Sequence, residues 1–397
     1  MTSHKSLRLL IPKPLNDISH NNSSNCAHEK GEKIPVQKRR LGRTNLQVSV
    51  IGFGGIPIIQ ATVPKAVEMI KRAYDLGINY FDTARVYGNS EEKYGMALED
   101  VRDKVIIATK THQRTREDAA RAGLKQSLQK LRTDHIDIML LHGIDDEKTL
   151  EQAMAAEGSL TAVKEARKEG KVRFIGMSGH RPLTFMKAIR TGEFDMILVP
   201  FNVINREASE ELFPLAKELD IGVVIMKPFG GANLSFAARE LWASRVPEKA
   251  EFNRIIGEGR AKTQRSLRYI LAHDIHTIVP GFSAVEEVES AAKVGEEYAG
   301  LTQKEKTDMK YGELPPSPFC RECGLCMPCP DGLNIPLILG LDKYYTFHGI
   351  TNWTREVYER VNTKVDSCTK CAKCEQKCPY KLPIIQMLNQ AHERLSK

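Results

Sequence analysis

No apolar run in this 397-residue chain approaches the ~18 to 20 residues that a membrane-spanning helix requires, so a helical membrane span is not expected. Near the start, Lys5 and Arg8 precede Leu9, Leu10 and Ile11, but Pro12 and Pro14 cut that run too short for the apolar core of a secretory signal. Aromatic residues make up only 7% of the chain and do not interleave with the basic ones, which argues against a nucleic-acid platform despite the formal charge of +8. That charge is spread along the sequence, with one basic knot at 37–40. Cysteine is missing altogether between Cys26 and Cys320, so no disulfide framework is scattered through the chain. The first strand candidate is not followed by a Gly-x-Gly-x-x-Gly turn, because Phe53-Gly54-Gly55 runs into Ile56-Pro57, and this disfavours an open dinucleotide-binding sheet. There is no flavin fingerprint either. A cytoplasmic protein is the expectation from this pattern.

What is present falls into three stretches. Residues 1–35 are rich in Asn, Ser, His and Lys and read as a flexible extension, with a cleaved transit segment as the alternative. Residues 36–300 alternate short β-branched apolar runs with amphipathic segments. Strands are expected at 48–53, 78–81, 105–109, 136–141, 172–177, 196–199, 222–226 and 277–279. Helices are expected at 64–76, 116–131, 160–169, 182–189, 208–219 and 262–273, several of them followed by a capping glycine such as Gly77, Gly170 or Gly192. Unbroken apolar strands in eight alternating units point to a closed parallel (β/α)8 TIM barrel. A hairpin over 41–50 would close its N-terminal end. After about residue 300 a proline-rich linker at 314–318 leads to the cysteines, so 301–397 reads as a separate small domain.

Working residues of a TIM barrel sit at the C-terminal ends of its strands. Asp82 ends the second strand and Tyr87 follows in its loop, while Lys110 and His142 end the third and fourth. Each alone is more often a solvated strand cap, but an acid, a phenol, an ammonium and an imidazole aimed at one mouth form a chemically useful set. The stretches Phe81-Asp82-Thr83-Ala84-Arg85-Val86-Tyr87-Gly88, Ala108-Thr109-Lys110, Leu140-Leu141-His142, Gly176-Met177-Ser178 and Val279-Pro280-Gly281-Phe282-Ser283 resemble the signatures of the aldo-keto reductase family, in order, over roughly residues 40 to 295.

That resemblance implies reduction of a small aldehyde or ketone with NADP(H), NAD being the alternative. It implies Tyr87 as general acid, Lys110 and Asp82 as the groups that tune it, and His142 as the residue orienting the substrate carbonyl. The chemistry suits these roles, since a lysine ammonium beside a phenol favours phenolate and a carboxylate keeps that lysine charged. The resemblance also implies a cofactor-facing set of Ser178, Asn202, Lys227, Gly230, Gly231, Ser283 and Glu286. Several family positions are altered. Gly179 replaces the usual asparagine, Leu198 stands at the glutamine position, Met226 at the stacking aromatic, and Ala291 at an asparagine near the adenine.

The cysteines form two runs, Cys320-x2-Cys323-x2-Cys326-x2-Cys329-Pro330 and Cys368-x2-Cys371-x2-Cys374-x3-Cys378-Pro379. Three thiolates at this spacing can serve three irons of one cubane, and in two-cluster ferredoxins the remote cysteine before proline serves the other cluster. We therefore expect two [4Fe–4S] clusters. One is held by Cys320, Cys323, Cys326 and Cys378, and the other by Cys368, Cys371, Cys374 and Cys329. A pair of zinc sites is the competing structural reading. This layout is similar to that of iron–sulfur-containing members of the same family. The aromatic residues between the runs, Tyr344, Tyr345, Phe347, Trp353 and Tyr358, are expected in the small domain's core or its contact with the barrel.

A hydride carries two electrons and each cluster takes one, so the halves do not simply connect. Three possibilities follow. The barrel reduces a carbonyl while the clusters are structural or sense oxidants. Alternatively, the clusters pass electrons from a ferredoxin to the barrel mouth. In the third case the chain is an electron-transfer adaptor on a lapsed barrel.

Overall fold

The structure is a computed structural model that describes residues 35–230, 263–298, 300–304 and 319–397. The expected N-terminal extension up to residue 34, Cys26, Gly231 and the linker at 314–318 lie outside these residues.

Eight parallel strands form the barrel: β3 (Phe53–Gly54), β4 (Tyr80–Asp82), β5 (Ile106–Thr111), β6 (Ile136–Leu141), β7 (Val172–Ser178), β8 (Met196–Pro200), β9 (Gly222–Met226) and β10 (Thr277–Ile278). Each pairs with its sequence neighbour, and parallel bridges from Ile51 to Ile278 and from Gly54 to Gly281 bring the first and last strands together. The alternation of the strands sorts their side chains into two cores. Ile106, Ala108, Ile138, Leu140, Leu198 and Val224 fill the barrel interior. Ile107, Met139, Leu141, Val199 and Ile225 join the helices in a larger outer core.

The expected first strand at 48–53 is not one element. Gln47–Ser49 (β2) pairs antiparallel with Lys38–Arg40 (β1), and the barrel strand proper is Phe53–Gly54, reached through the Ile51 bridge to Ile278. The break is held by Asn79, whose Oδ1 accepts from Ser49 N at 2.7 Å and whose Nδ2 donates to Gln47 O at 2.8 Å. Gly52 then passes so close to Tyr80 that a Cβ would lie 2.9 Å from its carbonyl oxygen. The hairpin does close the barrel's N-terminal end, with Leu41, Leu46 and Val48 packed into the interior core. Its turn needs Gly42, at φ +46, where any Cβ would meet the Gly222 nitrogen at 2.4 Å.

The helices fall close to the expected places, as at Val63–Asp75, Ser159–Lys168 and Pro182–Arg190. The helix expected over 116–131 is wound as a π-helix through Ala119–Lys125, where Gly123 packs against Thr111 of β5. The helix expected over 208–219 begins as a 3-10 turn, Glu207–Ser209, before Leu212–Glu218. The C-terminal region is helical, with Ile335–His348, Thr351–Glu359 and Ile384–Leu395 enclosing a core of their own that includes Cys326 and Cys378. Asn334 caps the first of these by accepting from Leu337 N at 3.3 Å. Among the described residues no helix is long and apolar enough to cross a membrane.

Candidate active site and cluster sites

The four polar residues expected at the barrel mouth come from three consecutive strands. Asp82 ends β4, Lys110 lies in β5, and His142 directly follows β6. The loop carrying Tyr87 is a tight turn, with Tyr87 N donating to Ala84 O and Ser90 N to Tyr87 O, each at 2.9 Å. Arg85 N donates to Lys110 O at 3.1 Å, which ties that loop to β5. The fully buried Glu91 adds a second tie, accepting from Arg85 at 2.9 Å and from the Thr109 hydroxyl at 2.7 Å.

Within the mouth, Lys110 Nζ donates to Asp82 Oδ1 and to Thr83 O, both at 2.6 Å. The same ammonium lies 5.0 Å from the centroid of the Tyr87 ring. The His142 ring meets Tyr87 edge-on, with centroids 5.8 Å apart. His142 Nδ1 and Asp82 Oδ2 are buried without a hydrogen-bond partner among the described residues. Orphaned buried polar atoms are rare in native proteins and commonly mark sites where a ligand or water completes the set.

Burial dominates the electrostatics. It pushes the Asp82 carboxyl up and the Lys110 ammonium down, while each partner's charge opposes the other's shift. Burial also drives His142 well below its ordinary range, aided by the Lys110 charge, so the imidazole is neutral near pH 7. The sequence argument expected Lys110 to pull the Tyr87 phenol down. The structure shows the reverse. Burial, the Asp82 carboxylate and Tyr344 together hold the phenol well above its usual value, so it keeps its proton.

The C-terminal domain docks on this mouth. Trp353 Nε1 donates to Val86 O at 3.1 Å, beside Tyr87, and its ring lies 6.2 Å from that of Tyr344. Gln60 Nε2 donates to Gly349 O. Arg181 donates to the carbonyls of Cys323 at 3.1 Å and Gly324 at 2.5 Å. At the centre, Glu322 Oε2 accepts from Lys227 Nζ at 2.6 Å, and Glu322 Oε1 accepts from Lys343. Lys227 Nζ is also 3.0 Å from His180 Nε2, whose Nδ1 faces Asp145 Oδ1 at 3.1 Å. Burial works to raise the Glu322 carboxyl, but the charges of Lys227 and Lys343 hold it far below the carboxylate range. Glu322 was hidden from sequence reasoning because it lies inside the first cysteine run and was absorbed into the spacing. Arg181 had shown only polarity. Of the aromatic residues between the runs, Tyr358 is buried in the domain core, Trp353 contacts the barrel, and the Phe347 side chain lies outside the described residues.

The residues expected to face a nucleotide are less available. Ser178 Oγ accepts from Gly143 N at 3.3 Å and keeps its hydroxyl proton free to donate. Asn202 Oδ1 accepts from Ile204 N and Asn205 N at 2.9 Å, and its Nδ2 donates one hydrogen bond to Lys227 O at 3.0 Å. Lys227 is spent on Glu322. Gly230 sits at φ +60, with Ile204 and Phe319 3.7 and 3.9 Å from where a Cβ would be. Ser283 N donates to Glu287 at 2.7 Å, and Glu286 is exposed on the first turn of Val285–Glu296. Asn202 and Lys227 thus make hydrogen bonds that the sequence does not display. The nicotinamide end retains a donor. The start of that last helix is acidic, which fits a 2′-phosphate poorly.

Cys326 and Cys329 from the first run and Cys368, Cys371 and Cys374 from the second line one cavity, together with Pro330. Among the described residues no three His, Cys, Asp or Glu side chains converge as they would on a single metal ion. Thiols spread around a cavity suit a cubane, whose irons each take one thiolate. In the first run Glu322 N donates to Cys320 Sγ at 3.4 Å, and Cys326 and Cys378 share the domain core. Burial pushes the Cys320 thiol up to about 11 and the Cys326 thiol to about 12, so cluster assembly there must release protons.

The profile described as the Aldo/keto reductase family matches residues 50–310, about two thirds of the chain. The chain belongs to the aldo-keto reductase family. A second profile, the 4Fe-4S dicluster domain, matches residues 319–383 of this reductase. It is similar to the L-galactose dehydrogenase of Arabidopsis thaliana, 31% identical over 305 residues, which cover 70% of this chain and 92% of that protein. It is also similar to the uncharacterized oxidoreductase YqkF of Bacillus subtilis, 29% identical over 64% of this chain and 89% of that one. Among solved structures, the holo form of aldo-keto reductase AKR11C1 from Bacillus halodurans superimposes with a TM-score of 0.56 at 28% identity, covering 70% of this chain and 96% of its own. This member of the family is an oxidoreductase built as an eight-stranded parallel barrel followed by an iron–sulfur domain.

Proposed function

We propose that this aldo-keto reductase reduces a small aldehyde or ketone at the barrel mouth, with Tyr87 as the proton donor. The observation that carries this is the junction of the Lys110–Asp82 pair, 2.6 Å apart, with the Tyr87 ring 5.0 Å from the ammonium and His142 beside it. Carbonyl reduction builds negative charge on oxygen, which needs a proton and donors placed in advance. A phenol held protonated supplies the proton. Neutral His142 donates through one ring nitrogen to the same oxygen and fixes its direction. Lys110 places positive charge beneath the phenol, so the phenolate left after proton transfer is stabilised. Asp82 holds Lys110 in that position.

A nicotinamide nucleotide, when bound, supplies the hydride. Ser178, with its free hydroxyl proton, would hold the carboxamide, and the backbone at Gly230, Gly231 and Ser283 would approach the phosphates. Resemblance favours NADP(H), while the glutamates at the start of the last barrel helix predict that NADH serves at least as well. The similarity to an L-galactose dehydrogenase puts aldoses among the carbonyls to test. Eight cysteines in two runs support two [4Fe–4S] clusters, ligated across the runs as the shared cavity suggests. The domain boundaries near residues 36 and 300 follow the same reading.

A second possibility draws on one specific contact. The first cysteine loop is held on the barrel mouth by Arg181 and Lys227, so the clusters are placed to pass single electrons toward the substrate. Anaerobic assay of reconstituted protein with NADH and NADPH over a panel of aldehydes, ketones and aldoses separates the two. Nucleotide-dependent product that vanishes in Tyr87→Phe supports the first. Product formed only with a one-electron reductant supports the second.

A further inference from the structure

The two cysteine runs are both mostly half-buried but differ in their neighbours. The first lies against the barrel, with its Cys323 and Gly324 carbonyls bound by Arg181 and Glu322 clasped between Lys227 and Lys343. The second opens to solvent. Cys371 is exposed, and so are Lys370, Lys373, Lys377 and Lys381 around it. From Ser367 to Lys381 these four lysines are accompanied by a single carboxylate, Glu375. None of the four makes an ion pair with another described residue. Neighbouring acids are paired with other groups instead. Glu375 Oε1 accepts from Ile385 N at 2.9 Å, Asp331 Oδ2 accepts from Thr369 N at 2.8 Å, and Asp366 lies 3.1 Å from His392 Nε2.

We propose that this lysine collar around Cys371 is the docking face for an acidic protein that carries one electron at a time. The proposal rests on the reading of the cysteines as cluster ligands, and it gives the dicluster domain a direction. The reduced carrier would be oxidised by one electron, and a cluster held by Cys368, Cys371, Cys374 and Cys329 would be reduced by one. A cluster held by the first cysteine loop would stand on the mouth side, where Arg181 and Lys227 bind that loop. Exposed lysines without ion-pair partners steer an acidic surface and add little to folding, and interface charges of this kind act mainly on association rate. The exposed Cys371 marks where the carrier approaches the cluster most closely.

The test compares reconstituted wild-type protein with Lys370→Glu/Lys373→Glu/Lys377→Glu, none of which lies in the barrel machinery. Anaerobic stopped flow follows cluster reduction by a photoreduced acidic [2Fe–2S] ferredoxin and, separately, by photoreduced deazariboflavin, a neutral small molecule. Interferometry measures binding of the oxidised ferredoxin. The expected result is a wild-type ferredoxin rate that falls steeply with salt, and at least a tenfold loss of both rate and affinity in the variant. The deazariboflavin rate and the electron paramagnetic resonance spectrum should stay the same. A ferredoxin rate indifferent to salt and to the three substitutions overturns the proposal. So does an equal loss with both reductants, which would mean that the lysines set cluster potential or loading. Tight binding of nucleic acid to this face, with ferredoxin reduction unaffected, also overturns it. Absence of cubane signals from reconstituted wild type would sink the cluster reading itself, a failure distinct from loss of docking alone.

Discussion

Tyr87 is a phenol held in its protonated form by burial, the Asp82 carboxylate and the neighbouring Tyr344, which together outweigh the nearby Lys110 ammonium. An acid of this kind stays competent until the pH passes its raised pKa. Carbonyl reduction should therefore be flat from about pH 6 to 9 as far as Tyr87 is concerned, whereas alcohol oxidation, which needs phenolate as base, should climb across the same range. A pH profile of kcat in both directions checks the sign. Tyr87→Phe should lower kcat by about 10²- to 10⁴-fold and leave cluster spectra intact. The identity of these residues was legible in the sequence, because strand ends in a parallel barrel converge on one mouth. Their ionisation was not. Sequence reasoning weighed Lys110 against the phenol as near neighbours, and it had no measure of how far burial would outweigh that charge.

At the scale of elements, the contact that matters is the loop from Cys320 to Cys326 against the ends of β7 and β9. Glu322 sits between Lys227 of the barrel and Lys343 of the helix Ile335–His348, with side-chain exposures of 11%, 15% and 7%. Removing a buried carboxylate leaves two ammonium groups unpaired. Glu322→Ala should weaken docking of the small domain by about 3–5 kcal/mol, more than truncation of an exposed pair such as Arg40–Asp220. Hydrogen exchange of the segment around Tyr87 and Trp353 should then rise. The strands and helices were legible from period and capping, apart from the first strand. There an apolar run at 48–53 concealed a turn whose cause, Asn79, lies in the next unit. The partners that Lys227 and Asn202 have in the structure were not legible, because they are distant in sequence or carried by the backbone.

Among the described residues a domain that carries eight cysteines docks at the barrel mouth, and the abrupt change in cysteine content is the sequence feature that sets it apart. Cross-ligation makes the two runs interdependent. Cys329→Ser should therefore remove the same spectroscopic signal as Cys371→Ser, and Cys378→Ser the same as Cys320→Ser, each variant losing about half of the iron. Ligation within each run would pair the variants the other way. Docking at the mouth also predicts that nucleotide and substrate reach Tyr87 only through what the docked domain leaves open, a constraint shared by none of the described barrel elements alone. The most direct test of the central claim is a single anaerobic turnover. Reconstituted protein is mixed with NADH or NADPH and one carbonyl substrate, and product alcohol is counted per active site while optical spectra follow the clusters. The account predicts about one alcohol per site in the wild type, none in Tyr87→Phe, and clusters unchanged in both. Equal product from wild type and Tyr87→Phe would contradict it.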